Sequence, residues 1–268
     1  MKVDMQLLKQ LRDITLASLK DCSEALVEAQ GDLEKAQEIL RKNGSAKAAK
    51  KADRETNEGI VKFASNGNKH VGLKLLCETD FVARNDQFQV LVASILDKLQ
   101  SSTGTFADIN AADAALVEEL HGMVTHIVAT LGENIKLADI YSYDGVAYAY
   151  NHPGNKVAAL VFYTGEGDAA QNAAKEVALQ AAAMNPTYLS MDQVPQADKD
   201  NAVAGERDAL VASGKPADMI DKILEGKMQK ALSEVVLLEQ ESIRDGAKKV
   251  KELLPAGVSI TQFIRLSV

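Results

Sequence analysis

The chain has 268 residues, a net charge of −8, and 46% apolar against 25% charged side chains. That length suffices for one large domain or two to three small ones, and the composition is that of a soluble globular protein. The acidic balance argues against nucleic-acid binding by the surface as a whole, and no apolar run is long enough to span a bilayer.

Helical patterning starts within the first few residues, with no signal or transit segment ahead of it, so a cytoplasmic location is the default. Cys22 and Cys77 fall in patterned apolar positions. They fit burial in a reducing compartment better than a disulfide framework. With no Cys-x-x-Cys and no His pair at ligand spacing, a zinc site is not expected.

Residues 1–44 read as three short helices. The first carries Leu7, Leu8, Leu11 and Ile14 at helical spacing. The second begins near Ser18, with Asp21 three residues on as in a capping box. It places Leu19, Cys22, Leu26 and Ala29 on one face and stops at Gly31. Asp32 caps the third, which buries Leu33, Ala36, Ile39 and Leu40 and ends at Asn43-Gly44. Residues 45–54 lack an apolar face and carry more bases than acids. They read as a solvated, helix-compatible linker, with a basic contact patch as the alternative.

From Gly59 the period changes to two. Residues 60–65 and 70–77 predict strands, joined by Asn66-Gly67 as a type I′ hairpin. Val71, Leu73, Leu75 and Cys77 share one face of the second strand. A helix follows, with Asp86 and Gln89 as cap and partner and a core stripe of Phe88, Leu91, Val92, Ile95, Leu96 and Leu99. After a polar break at 101–106 comes a longer helix through Leu116, Leu120, Met123, Val124, Ile127, Val128 and Leu131, ended by Gly132. Residues 135–141 alternate as a strand, with Ile135, Leu137 and Asp139 on one side.

Between strand and helix lies Cys77-Glu78-Thr79-Asp80-Phe81-Val82-Ala83-Arg84-Asn85. It sets an apolar wedge, Phe81-Val82, in a polar connection. Phe81 either folds back onto the core or anchors a partner's pocket, the residue type that often dominates binding energy. The pattern then recurs: strand 145–150, turn 151–154, strand 156–164, helix 168–184. The order matches 59–99 and predicts a diverged internal duplication. The second strand-to-helix loop is only Gly165-Glu166-Gly167, without an apolar tip. The fold therefore does not demand Phe81 there, which favours the partner-anchor reading.

Residues 198–211 and 217–232 predict a helical hairpin turned at Ser213-Gly214-Lys215-Pro216, with a seam of Met219, Ile220, Ile223 and Leu224. It reads as an arm that meets a partner or a second copy, or that packs on the core. Residues 234–238 predict a strand, 247–254 a short helix and 260–266 a closing strand. No glycine-rich phosphate loop is present. Cys77 continues a buried strand face, and His121 and His126 are ordinary helix residues. His152 sits in a Pro-Gly turn, as a turn residue or a partner contact. With no catalytic constellation, the chain reads as a binding or regulatory protein rather than an enzyme.

Thr79-Asp80-Phe81-Val82-Ala83-Arg84-Asn85 resembles the signature of the translation elongation factor Ts family, the nucleotide-exchange factors of elongation factor Tu. Supporting motifs are Leu11-Arg12, Asp21-Cys22, Ala25-Leu26, Gly31-Asp32, Gly132-Glu133-Asn134-Ile135, His152, Ser213-Gly214-Lys215-Pro216 and Phe263-Ile264-Arg265. The resemblance implies an α+β fold with three parts. Residues 1–54 would be a ubiquitin-associated-like three-helix domain with a basic linker. Residues 55–143 and 144–268 would be the halves of a duplicated core with antiparallel strands. An antiparallel helical hairpin would be inserted at about 190–232.

It implies elongation factor Tu as partner, GDP release by displacement of that partner's Mg²⁺, and no cofactor or metal of the chain's own. Thr79, Asp80, Phe81 and Val82 would form the Mg²⁺-dislocating loop, with Arg12, Leu19, Lys20, Lys51 and His152 as further contacts. Self-association through the hairpin is a second possibility; direct nucleic-acid or membrane binding is not implied. The chain departs from the family's usual glycine-rich, Met-containing loop at Leu16-Ala17-Ser18-Leu19-Lys20, and from Pro-Phe at Glu241-Ser242. The alternative is a scaffold or nucleic-acid-associated protein using the N-terminal bundle and basic linker.

Overall fold

The computed structural model describes residues 3–15, 17–214 and 216–268, so Leu16 of the divergent loop and Lys215 of the arm's turn lie outside the described residues. The chain divides into two compact units: residues 1–144 with 153–156 and 267–268, and residues 145–152 with 157–266. It is a mixed α and β protein with an N-terminal helical region and antiparallel strand pairs.

The first unit opens with α1 (Met5–Thr15), α2 (Leu19–Glu28) and α3 (Leu33–Ala49). Ser18 caps α2 by accepting from the Asp21 amide, but the Asp21 carboxylate accepts from the Ser18 hydroxyl instead of returning to the cap's backbone. The sequence pattern therefore delivers half a capping box. Leu8, Leu11, Cys22, Leu26, Ala29 and Ala36 meet in a small core. Ile14 and Leu19, expected on the same faces, are exposed.

Asn43-Gly44 does not stop α3. The helix runs on to Ala49, taking up half of the expected linker. Gly44 is buried, and a Cβ there would come 3.3 Å from the Ala129 Cβ. The glycine that reads as a stop is a point of close helix approach.

β1 (Glu58–Asn66), β2 (Lys69–Cys77) and β3 (Ile135–Asp144) form an antiparallel sheet in the order β1-β2-β3. Asn66 pairs with Lys69, so the hairpin's two loop residues are Gly67 and Asn68. Only Gly67 takes a positive φ, the pattern of a type II′ turn and not the expected type I′. The alternation in β2 is as read: Val71, Leu73, Leu75 and Cys77 are fully buried on one face. They pack on the stripes of α5 (Asp86–Ser101) and α6 (Ala114–Leu131), which follow α4 (Asp80–Ala83) in the chain. The cap of α5 is Asn85, whose side chain accepts from the Gln87 amide; Asp86 is the first helical residue.

In β3 a bulge shifts the register between Lys74 and Leu75, opposite Asp139 and Leu137. The extra residue reverses the alternation. Ile135 and Leu137 face the core before it, and Ile140 and Ser142 after it. Asp139, expected on the core side, instead accepts from the Ile109 amide and the Tyr141 hydroxyl.

In the second unit, β4 (Ala147–Asn151), β5 (Val157–Thr164) and β6 (Ser259–Ser267) are ordered β4-β5-β6, and α7 (Gly167–Met184) covers them. Ala174, Ala178 and Ala181 let α7 close onto Ala159 and Val161. The buried Gln180 side chain donates to Gln240 and to the Glu241 carbonyl and accepts from the Ile243 amide. The first arm helix is broken at Gly205, which has positive φ, into α8 (Gln196–Ala202) and α9 (Glu206–Ala212). Both contact α10 (Ala217–Leu232), where Ile220 and Leu224 are buried and Met219 is exposed. Residues 234–238 form no strand: Val236 makes one bridge to Tyr188 and Leu237–Glu239 is a 3-10 turn. The short helix expected at 247–254 reduces to a 3-10 turn, Val250–Leu253.

Candidate functional site

At Cys77 the strand β2 ends and the chain must reach α5. Thr79, extended and capping, accepts from the Val82 amide at 3.4 Å and so starts the single turn α4. Successive residues on a helix point about 100° apart, so a turn that sets Val82 and Ala83 toward the core can aim Phe81 outward. Phe81 is 80% exposed, whereas Val82 and Ala83 are buried in the core of the first unit. The wedge anticipated as Phe81-Val82 thus divides: Val82 fastens the turn and Phe81 is presented. Asp80 forms an ion pair with Arg84 at 3.0 Å, along the turn's exposed side.

The turn is held from below by residues far along the chain. The Glu133 carboxylate accepts from the Thr79 amide at 3.1 Å and from the Thr79 hydroxyl at 2.7 Å. Glu78 accepts from the Asn134 amide at 2.6 Å and from the Arg54 guanidinium at 3.3 Å. Those contacts, the Asn134 amide first, hold the Glu78 carboxyl below its ordinary range. The Asn134 carboxamide donates to the carbonyls of Ala52 and Arg54. Sequence reasoning gave Glu78, Glu133 and Asn134 no role. The available signal is the polar pair Glu133-Asn134 wedged between a helix-ending glycine and a strand, where hydrogen-bonding side chains must find partners.

Cys77 lies under the turn, and its thiol donates to the Thr79 carbonyl at 3.2 Å. Burial, then the nearby Glu133 charge, push its pKa up to about 11. A thiol that stays protonated is a poor nucleophile. The Lys51 ammonium neighbours Arg54 and Glu78; its burial and then Arg54 lower its pKa.

The anticipated contacts on the N-terminal helices do not join this turn. Arg12, Leu19 and Lys20 are exposed on α1 and α2, where Lys20 approaches Glu24 at 3.9 Å. His152 belongs to the second unit, is exposed, and meets the Tyr150 hydroxyl at 2.8 Å through Nδ1. A cleft of about 580 Å³ lies between the N-terminal helices and α6, lined in part by Ile14, Asp21, Lys47 and His126. Asp21 and Lys47 form an ion pair across 2.6 Å. Among the described residues no group of acids, histidines or cysteines is placed to hold a metal ion, and no helix is long and apolar enough to cross a membrane.

What this arrangement offers is an exposed aromatic on a hydrogen-bonded turn, with the Asp80–Arg84 ion pair beside it. Residues 78–268 match the family model described as Elongation factor TS. The chain is 38% identical to Elongation factor Ts of Hydrogenobaculum sp. (strain Y04AAS1), over 100% of this chain and 99% of that protein. It is 39% identical to Elongation factor Ts of Desulfovibrio desulfuricans, over 94% and 91%. It is 36% identical to Elongation factor Ts of Aquifex aeolicus, over 100% and 98%. With the family model covering most of the chain and relatives matching end to end, the chain belongs to the elongation factor Ts family of translation elongation factors.

Proposed function

We propose that this chain binds elongation factor Tu carrying GDP and speeds release of the nucleotide, restoring the form that takes up GTP. The observation that carries the reading is Phe81: a large aromatic, 80% exposed, on a turn tied to Glu133 at Thr79 and to the core through Val82 and Ala83. Exposing a phenyl ring costs free energy in the isolated chain, and a pocket on a partner recovers it. Asp80 beside it brings a carboxylate. Mg²⁺ is a dominant charge in a phosphate site, so an inserted turn that displaces the ion weakens the hold on GDP.

The chain's own residues need no bond-making step, and we read it as a binding factor rather than an enzyme. They have to favour the nucleotide-free partner over the loaded one, and the differential contacts of Asp80 and Phe81 serve that end. Exposed Arg12, Leu19 and Lys20 on the N-terminal helices, half-buried Lys51 and exposed His152 are proposed as supporting contacts. In the same reading the two strand-pair-and-helix units are the halves of a duplicated core, residues 1–54 are its N-terminal domain, and α8 to α10 are the inserted hairpin. Exposed Val211 and Met219 on that arm support its meeting another chain.

The scaffold or nucleic-acid reading is less favoured, because Lys47 of the basic stretch is committed to Asp21. The test is release of labelled GDP from elongation factor Tu. The natural chain should accelerate release, and Phe81→Ala should lose most of the acceleration, roughly tenfold or more as for a binding anchor, with unchanged thermal unfolding. Equal acceleration by both chains would leave the function standing and remove Phe81 from it. No acceleration by the natural chain would overturn the reading.

A further inference from the structure

Phe81 can act as an anchor only if its turn is already formed, because ordering it on binding would consume binding free energy. The turn is short and makes few bonds of its own. Its first amide groups have no helical partner, and its cap is one hydroxyl. That hydroxyl has a single proton. In this structure the proton points to Glu133, 2.7 Å away, which leaves a lone pair for the Val82 amide. The same carboxylate takes the Thr79 backbone amide at 3.1 Å. Both bonds land two residues before Phe81, and bonds to an ionised acceptor are the strong kind.

Glu133 is itself fixed. It follows Gly132, the left-handed end of α6, and precedes Asn134, which is buried and bonded to Glu78 and to the carbonyls of Ala52 and Arg54. Glu78 answers from just beyond the end of β2, accepting from Asn134 and Arg54. One polar joint therefore gathers the chain beyond α3, the entry to β3 and the foot of α4.

We infer that Glu133 is a positioning residue for Phe81, with Glu78 and Asn134 completing the joint that holds the exchange turn in its bound shape. The inference rests on the exchange function proposed above. It differs from mere support of the fold because the Glu133 bonds go to the capping residue of the functional turn and not to the apolar core.

The experiment compares the natural chain with Glu133→Gln, Glu133→Ala, Phe81→Ala and the double variant Phe81→Ala/Glu133→Ala. Two readings are taken: GDP release from elongation factor Tu over a range of factor concentrations, and amide hydrogen exchange of residues 79–85 in the free chain. Glutamine keeps one neutral acceptor, so Glu133→Gln should lose a few-fold in the maximal release rate and Glu133→Ala roughly tenfold. The Thr79 and Val82 amides should exchange faster in both variants. The double variant should release GDP no more slowly than Phe81→Ala, because both changes act through one group.

Independent, multiplying losses in the double variant would overturn the inference, as would natural rates in a folded Glu133→Gln. Unchanged amide exchange at Thr79 and Val82 would overturn it too. That second reading needs no partner, so it decides the positioning role even if the natural chain proves inactive in exchange.

Discussion

Cys77 ends its strand with no exposed surface, its thiol on the Thr79 carbonyl. Its pKa lies at about 11 instead of the ordinary 9.0. In the unfolded chain the thiol ionises first, so folding binds the proton more tightly. Stability from this group is whole below pH 9 and is lost as pH rises toward about 11. Denaturant titrations should show a fall over that window, and Cys77→Ala should remove a part of it, since burial also raises the pKa of Cys22, Tyr141 and Tyr143. At pH 8 neither buried cysteine of the native protein should alkylate at the rate of a free thiol, and unfolding should release both. At this scale the buried face of β2 was legible from strict alternation, and Phe81 stood out as an apolar residue without a core reason. The burial of Val82 was not legible, because a single helical turn has too few residues to show a period.

Among the elements, α3 shows how one residue type can carry opposite messages. Glycine lowers helix propensity and so reads as a stop. At Gly44 the lost propensity is offset by close packing with α6, whose Ala129 would sit 3.3 Å from an added Cβ. Gly44→Leu should therefore force the helices apart, costing about 1–3 kcal/mol and lowering the unfolding midpoint. Gly44→Leu should also slow GDP release if the joint beyond α3 carries the strain to Thr79. The bulge in β3 escaped the sequence for a related reason. An inserted residue leaves the residue types unchanged and shifts only which partner each one faces. The long stripes of α5 and α6 needed no such context, since six or more apolar residues at one period leave a single buriable face.

For the molecule as a whole, exchange is a linkage property. If this chain weakens GDP binding to elongation factor Tu by some factor, GDP must weaken the chain's own binding by the same factor. Calorimetry of the chain against nucleotide-free and GDP-loaded elongation factor Tu should return that equality, and Phe81→Ala should shrink both factors together. A chain that bound the two forms equally would leave the partner's equilibrium affinity for GDP unchanged at any concentration.

The sequence by itself determined the helix and strand periods, most of the caps, and the signature around Phe81 that places the chain in its family. These are local properties: they depend on residues a few positions apart, and burial of a periodic face leaves little choice. Only the tertiary structure decided which side of α4 faces out, that α3 continues past Gly44, and that Glu133 and Asn134 reach back more than fifty residues to hold Glu78 and Thr79. Such pairings have no period and no fixed spacing. They arise because a strand end, a helix end and a capping turn each bring unsatisfied polar groups to one place, and the fold can bury them only by joining them.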